Sequence, residues 1–186
     1  MKDKISKTRI LCIVLTVCMV LCAICIGGYN GLKQEQTTAA NVFTYGVNGD
    51  GYSIMRDLKR RVESTQNLVT VSTRYIRTDD PLVRNLQHVA TKLESDAGIA
   101  TQYQYNVELT QAVENLWNSL TPMQDTIKLS DWTSLSRIVT ELHSANQTIS
   151  HDGYNAAATA FNQKLDQFPF SVYSGLFGIK KLELFL

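Results

Sequence analysis

Residues 10–26 read ILCIVLTVCMVLCAICI, seventeen positions without a charge, and everything else in the chain hangs from them. With Gly27, Gly28 and Tyr29 added, a helix over 10–29 covers about 30 Å at about 1.5 Å per residue, which is the thickness of a hydrocarbon core. The lone polar member, Thr16, can return its hydroxyl to the carbonyl one turn back, and Tyr29 stands where an interfacial aromatic belongs. A cleaved signal peptide is the competing account, because Lys2, Lys4, Lys7 and Arg9 precede the run and Gly27 or Gly28 is small. The run outlasts the roughly 7–15 residues of a signal core, however, and no A-x-A pattern follows it. A lipidated cysteine is disfavoured in turn, since Cys18, Cys22 and Cys25 follow Val17, Leu21 and Ile24 rather than a small residue. The expectation is a retained transmembrane helix over 10–29, with the lipid bilayer as its partner.

Charge orients it. The residues before position 10 carry four bases and one acid, net +3, whereas the whole chain is +1, so the remainder carries −2. The positive-inside asymmetry places a basic N-terminus, residues 1–9, in the cytoplasm and the C-terminal domain outside the membrane. All four cysteines (Cys12, Cys18, Cys22 and Cys25) fall inside the span, which leaves the domain without disulfides or thiol chemistry and gives the thiols a packing role.

Beyond the anchor the apolar residues recur at threes and fours. After a polar, helix-tolerant stretch to Tyr45, the run Gly46-Val-Asn-Gly-Asp-Gly51 reads as a turn; it has no flanking strand and is no phosphate loop. From Tyr52 to about Ile76 the positions Ile54, Leu58, Val62, Val69 and Ile76, filled in by Thr65 and Ser72, make one face of an amphipathic helix. Asp79 and Asp80 before Pro81 offer a cap and a first helical position. From there a stripe through Leu82, Leu86, Ala90, Leu93, Ala97, Ala100, Tyr103, Val107 and on to Leu120 predicts one helix about 60 Å long, weakened only at Gly98. Thr121-Pro122 ends it, and Ser130 or Asp131 caps the next, whose stripe (Trp132, Leu135, Val139, Leu142, Ile149, Ala156, Ala160, Leu165) runs to the stop at Phe168-Pro169. Long helices with short connections predict an all-α chain: one span, then an antiparallel up-and-down four-helix bundle over 30–168 and an apolar tail over 169–186. The tail, FPFSVYSGLFGIKKLELFL from 168 to 186, is too apolar to hang in water. It is expected to fold over the open end of the bundle, the alternative being that Val172, Leu176, Phe177 and Ile179 enter the bilayer interface beside Lys180 and Lys181.

No pattern of catalytic residues stands out. His88, His143 and His151 lack an H-E-x-x-H or C-x-x-C companion, and His143 and His151, even with Glu141 and Asp152 near, are spaced for solvated surface rather than for metal. Asp79 and Asp80 suit capping better than an acid–base pair. No serine sits in G-x-S-x-G or S-x-x-K. The bases Arg56, Lys59, Arg60, Arg61, Arg74, Arg77 and Arg84 make the second helix basic, while residues 85–170 carry nine acids against four bases. This basic face is expected to pair with acidic neighbours in the bundle, and a location outside the membrane removes nucleic acid as a partner. Tyr154, Asn155, Phe161 and Asn162 are expected to form a buried hydrogen-bonded layer.

Several of these segments, in their order along the chain, resemble the LemA family. Tyr29-Asn30-Gly31-Leu32 is similar to its YNxL after the anchor, and Leu58-Lys59-Arg60-Arg61 with Asn67-Leu68-Val69 is similar to its LxRR…PNLV helix. Gly153-Tyr154-Asn155, Phe161-Asn162, Phe168-Pro169 and Gly175-Leu176-Phe177-Gly178 follow its ending. The chain departs from the pattern at Gln66, where the family has Pro, in the glycine-rich turn at 46–51, and around Pro122. The resemblance implies a four-helix bundle behind a single span and no established enzymatic activity. The expectation is therefore a non-catalytic interaction or scaffold protein of a bacterial-type cell envelope, with no cofactor, no metal and a protein partner. The alternative is a ligand-binding receptor or motif-less enzyme with a site between helices.

Overall fold

Residues 29–45 (YNGLKQEQTTAANVFTY) hold no proline and several good helix formers, so nothing stops the apolar helix at Tyr29. In the computed structural model, which describes residues 2–95 and 97–186, helix α1 runs unbroken over Lys2–Tyr45. Met1, Asp96 and the side chains expected to form the basic N-terminus, Arg9 apart, lie outside the described residues. Among the described residues α1 is the one helix long and apolar enough to cross a membrane. Its apolar side chains from Leu11 to Ile26 are exposed, and Thr16 Oγ1 donates to the Cys12 carbonyl at 2.9 Å. From Cys25 onward one face is covered, and Leu32, Ala39 and Phe43 are buried along it. The helix ends at Gly46, whose φ of +83° only glycine adopts freely and whose added Cβ would lie 2.2 Å from the Tyr52 carbonyl oxygen.

Helix α2 (Ile54–Ser72) starts at Ser53, which accepts the Arg56 N–H at 3.3 Å. Helix α3 (Pro81–Glu94) starts as the sequence predicts: Asp80 Oδ1 accepts the Leu82 N–H at 2.8 Å and Pro81 takes the first turn. The single long helix expected from Pro81 to Leu120 is two helices. Helix α4 (Ile99–Leu120) begins after Gly98, and α3 packs against it. The reason is local: Ser95 turns its hydroxyl onto the Lys92 carbonyl at 2.5 Å, and Gly98 occupies the position before the new helix. The break resets the helical phase, so Ala100 and Val107 are exposed while Gln102 and Asn106 are buried.

A second correction concerns residues 130–168. Helix α5 (Leu129–Ser150) and helix α6 (Tyr154–Asp166) are separated by His151–Gly153, so Ala156 and Ala160 face solvent and Ala158 and Phe161 take the buried places. Ser130 and Asp131 do not cap; they lie inside the first turn of α5, and the Asp131 carboxylate instead accepts the Arg74 guanidinium at 2.9 Å and the Tyr75 hydroxyl at 2.6 Å. A short helix, α7 (Phe170–Phe177), stands where only an apolar tail is expected.

All described helices assemble without a strand. Helix α2 packs on α3 and α5, α3 on α4, and α4 on α5, and their inner faces enclose a core that includes Leu86, Leu109, Leu116, Leu135 and Leu142. Each such fully buried side chain contributes about 1.5–3 kcal/mol. A smaller cluster, Leu32, Ala39, Phe161, Leu165 and Ile179, joins α1, α6 and the tail.

Candidate functional site

Helix α2 alternates three and four residues along Ile54, Leu58, Arg61, Thr65, Leu68 and Ser72, and all six are buried. That spacing carries Arg61 into the core at 1% exposure. Its Nη1 donates to the Asn106 and Asn146 side-chain oxygens and its Nη2 to Thr110 Oγ1 at 2.8 Å. The acceptors are held in turn: Asn106 Nδ2 donates to Asn146 Oδ1 at 2.9 Å, and the Thr110 hydroxyl donates to the Asn106 carbonyl at 3.0 Å. Among the described residues no carboxylate pairs with Arg61, and its Nε and the neighbouring Thr65 hydroxyl have no partner. Burial pushes the guanidinium down to about 10, still far above neutrality. A permanent positive charge thus sits among α2, α4 and α5, solvated only by amide and hydroxyl dipoles.

Three of those dipoles reach a surface. Asn106, Thr110 and Asn146 help form an open groove of about 560 Å³ between α4 and α5, with Tyr103, Val107, Ile149 and Phe185 among its apolar walls. The groove offers hydrogen-bonding amides, greasy walls and a cation behind the floor. It offers poor acid–base chemistry: its lining contains no carboxylate, imidazole, amine or thiol side chain. Ser150 lies on its rim and within 3.0 Å of His151 Nδ1, but the hydroxyl donates to the Gln147 carbonyl at 2.7 Å and His151 Nδ1 reaches the same carbonyl at 2.9 Å. Both groups converge on one carbonyl at the C-terminal end of α5.

The expected hydrogen-bonded layer on α6 takes a specific form. Asn155 Oδ1 accepts the Phe185 N–H at 2.8 Å while its Nδ2 donates to the Phe185 carbonyl at 2.9 Å. Asn162 treats Leu182 in the same way, at 2.8 and 2.9 Å. The seven-residue step from Asn155 to Asn162 advances α6 by about 10.5 Å, and the three-residue step from Leu182 to Phe185 advances an extended chain by about 10 Å. The two spacings match, so each side-chain amide stands in for a neighbouring strand. Between them the Tyr154 hydroxyl donates to the Glu183 carbonyl at 2.6 Å, and Phe185 enters the core against Phe43 and Tyr103. Residues 179–185 therefore pack along α6 and α1 rather than as a cap over an open end, while Phe168, Val172, Leu176 and Phe177 of the same tail stay exposed.

The histidines are not brought together. His88 and His151 are exposed, and His143 Nε2 lies 2.8 Å from Glu114 across α4 and α5. Among the described residues no group of three or more His, Cys, Asp or Glu is placed to hold a metal. Of the basic residues on and around α2, Arg74 finds Asp131 and Arg77 finds Asp79, whereas Arg61 leaves the basic face altogether. Arg61 is the residue that charge counting misplaces, and its heptad-like spacing with Leu58 and Thr65 is the signal that locates it.

The LemA family model matches residues 52–186. No curated protein matches the chain, and no solved structure matches it.

Proposed function

Since the chain belongs to the LemA family, we propose that it is a membrane-anchored, non-catalytic interaction protein of a bacterial-type cell envelope, with residues 10–29 in the bilayer, its N-terminus cytoplasmic and its helical body outside. The body is an antiparallel up-and-down four-helix bundle of α2 to α5. The closed cycle of neighbours, α2 with α3, α3 with α4, α4 with α5 and α5 with α2, supports that topology. The observation that carries the functional reading is the groove itself: amide-floored, apolar-walled and lacking an acid–base pair, it is furnished for contact. A photo-crosslinking residue at Val107, in the groove, is expected to capture a discrete protein partner in membranes, whereas the same residue at exposed Thr91 on α3 does not. Equal capture at both positions, or none at either, overturns the groove as the contact surface. External protease is expected to digest the body of the chain in intact cells while sparing the first nine residues; a protected body reverses the orientation.

A second reading, a receptor for a small acidic ligand, is favoured by one observation only, the cation behind Asn106 and Asn146 without a carboxylate. It predicts that a simple carboxylate titrated into the protein shifts the Asn146 side-chain amide resonances, and that Arg61→Met abolishes the shift. Lack of any shift in the parent removes this reading.

A further inference from the structure

Helix α7, FSVYSGLF, contains no charge, yet it leaves Val172, Leu176 and Phe177 exposed, with Phe168 just before it 84% exposed. Its position is fixed by contacts to α1. The Tyr173 ring lies on Gly28, where an added Cβ would come within 2.7 Å of it. The Tyr173 hydroxyl is 3.5 Å from the Ile24 carbonyl oxygen, and Phe177 meets Tyr29 with ring centroids 5.2 Å apart. These partners are the last turns of the apolar run: Ile24 to Tyr29 covers only about 8 Å of helix axis. The tail then climbs α1 in order. The Lys180 carbonyl accepts the Gln36 side chain at 2.7 Å, and Ile179 packs with Leu32 and Ala39, so α7 is the part of the tail nearest the span.

We propose that α7, with Phe168, is a second membrane contact: a short helix seated in the interfacial layer of the bilayer that α1 crosses. The proposal rests on the reading that residues 10–29 span the membrane. A helix held against Gly28 and Tyr29 shares their depth, and at that depth its exposed aromatic and aliphatic side chains meet acyl chains and headgroups rather than water. Exposed Lys180 follows it toward the aqueous side. Because α7 is uncharged, the contact needs no anionic lipid and resists salt. Two attachments, one crossing and one lying flat, fix the tilt of the body over the membrane.

The test uses the full chain in phosphatidylcholine nanodiscs whose acyl chains carry bromine either near the headgroup or near the bilayer centre. Leu176→Trp adds a fluorophore at an exposed position, Val172→Trp repeats the measurement, and Val20→Trp reports on the span; Trp117 and Trp132 are subtracted with the parent protein. The added emission at 176 and 172 is expected to be quenched most by the shallow bromines and to stay quenched at high salt, and that at 20 to be quenched most by the deep ones. Quenching at 20 with none at 176 or 172 overturns the interfacial helix and leaves the span intact. No quenching at any of the three overturns both. Blue-shifted, unquenched emission at 176 with two copies per disc assigns the face to a second copy and also overturns the proposal.

Discussion

Arg61 and the pair Asn155–Asn162 answer opposite problems. Among α2, α4 and α5 a full charge has been taken inside and is met only by neutral dipoles, whereas along α6 the side chains are neutral and what needs satisfying is the backbone of an extended segment. The first arrangement is sensitive to every partner, because an acceptor removed from a buried guanidinium leaves charge unsolvated. The second has a modular geometry, in which each asparagine closes a two-bond ring with one tail residue, so losing one is expected to spare the other. The comparison predicts that global stability is concentrated around Arg61 among α2, α4 and α5 and that the tail is released separately, as a strap.

The sharpest way to break the comparison is Asn106→Leu. It keeps the branched shape but strips an acceptor from Arg61, and the full chain in micelles is expected to lose about 3–5 kcal/mol of unfolding free energy. Combining Asn106→Leu with Arg61→Met and Asn146→Leu is expected to recover most of it, because no charge is then buried. If Asn106→Leu melts with the parent, the guanidinium is better solvated than its 1% exposure says.

On the other side, Asn155→Ala with Asn162→Ala is expected to cost about 1–3 kcal/mol per site. Hydrogen exchange should locate the loss: protection of the Leu182 and Phe185 amides falls while that of α2 and α5 stays. Simultaneous loss in both regions would show that strap and bundle open as one unit.

A pH series sharpens the same boundary. Burial, with the Glu183 charge adding to it, pushes the Tyr154 phenol up to about 12. A folded value above the unfolded one of about 10 means that the phenol's contribution is complete below about pH 10 and is lost as pH rises through about 12. Alkaline release of the tail is therefore expected, followed by the exchange of the Phe185 amide, and Tyr154→Phe should flatten it. Tyr75, raised chiefly by its hydrogen bond to Asp131, contributes separately at the α2–α5 contact.

The smallest effect expected is a gain. Thr65→Val replaces an orphaned buried hydroxyl by a methyl and should stabilise the bundle by up to about 1 kcal/mol in denaturant titration. A loss would mean that the hydroxyl has a partner in solution, with the unpartnered Nε of Arg61 the nearest candidate on the same helical face.

Much of this was legible beforehand, for reasons that differ by residue. The long apolar helix, the Pro81 start, the Gly46 turn and the stop at Leu120 follow from local rules that tertiary context seldom overrides. The breaks at Gly98 and at His151–Gly153 were not predicted, because a single glycine costs only about 1 kcal/mol and the apolar spacing runs on across it. Each break shifts the stripe by a residue or two, which is why spacing alone puts Ala156 and Ala160 inside although both face solvent. Asn106 and Asn146 carried no signal of their own; they matter through Arg61, and Arg61 was hidden by its neighbours Arg60 and Lys59, whose exposure made the whole run look like surface. The sequence points to the asparagines of α6 as hydrogen-bonding residues, but their partner, a backbone twenty to thirty residues further on, leaves no trace in local spacing.

The unbroken α1 has a mechanical consequence. From Asn30 to Tyr45 the helix projects about 24 Å beyond the apolar run with no hinge in it, and the body is bolted to that shaft through α6 and α2. The azimuth of the groove is thus geared to the rotation of the exposed apolar residues Leu11 to Ile26. One residue inserted after Tyr29 would turn the shaft by about 100° and raise it by about 1.5 Å, and the seat of α7 on Gly28 and the seat of α6 on Leu32 and Ala39 would no longer be in phase.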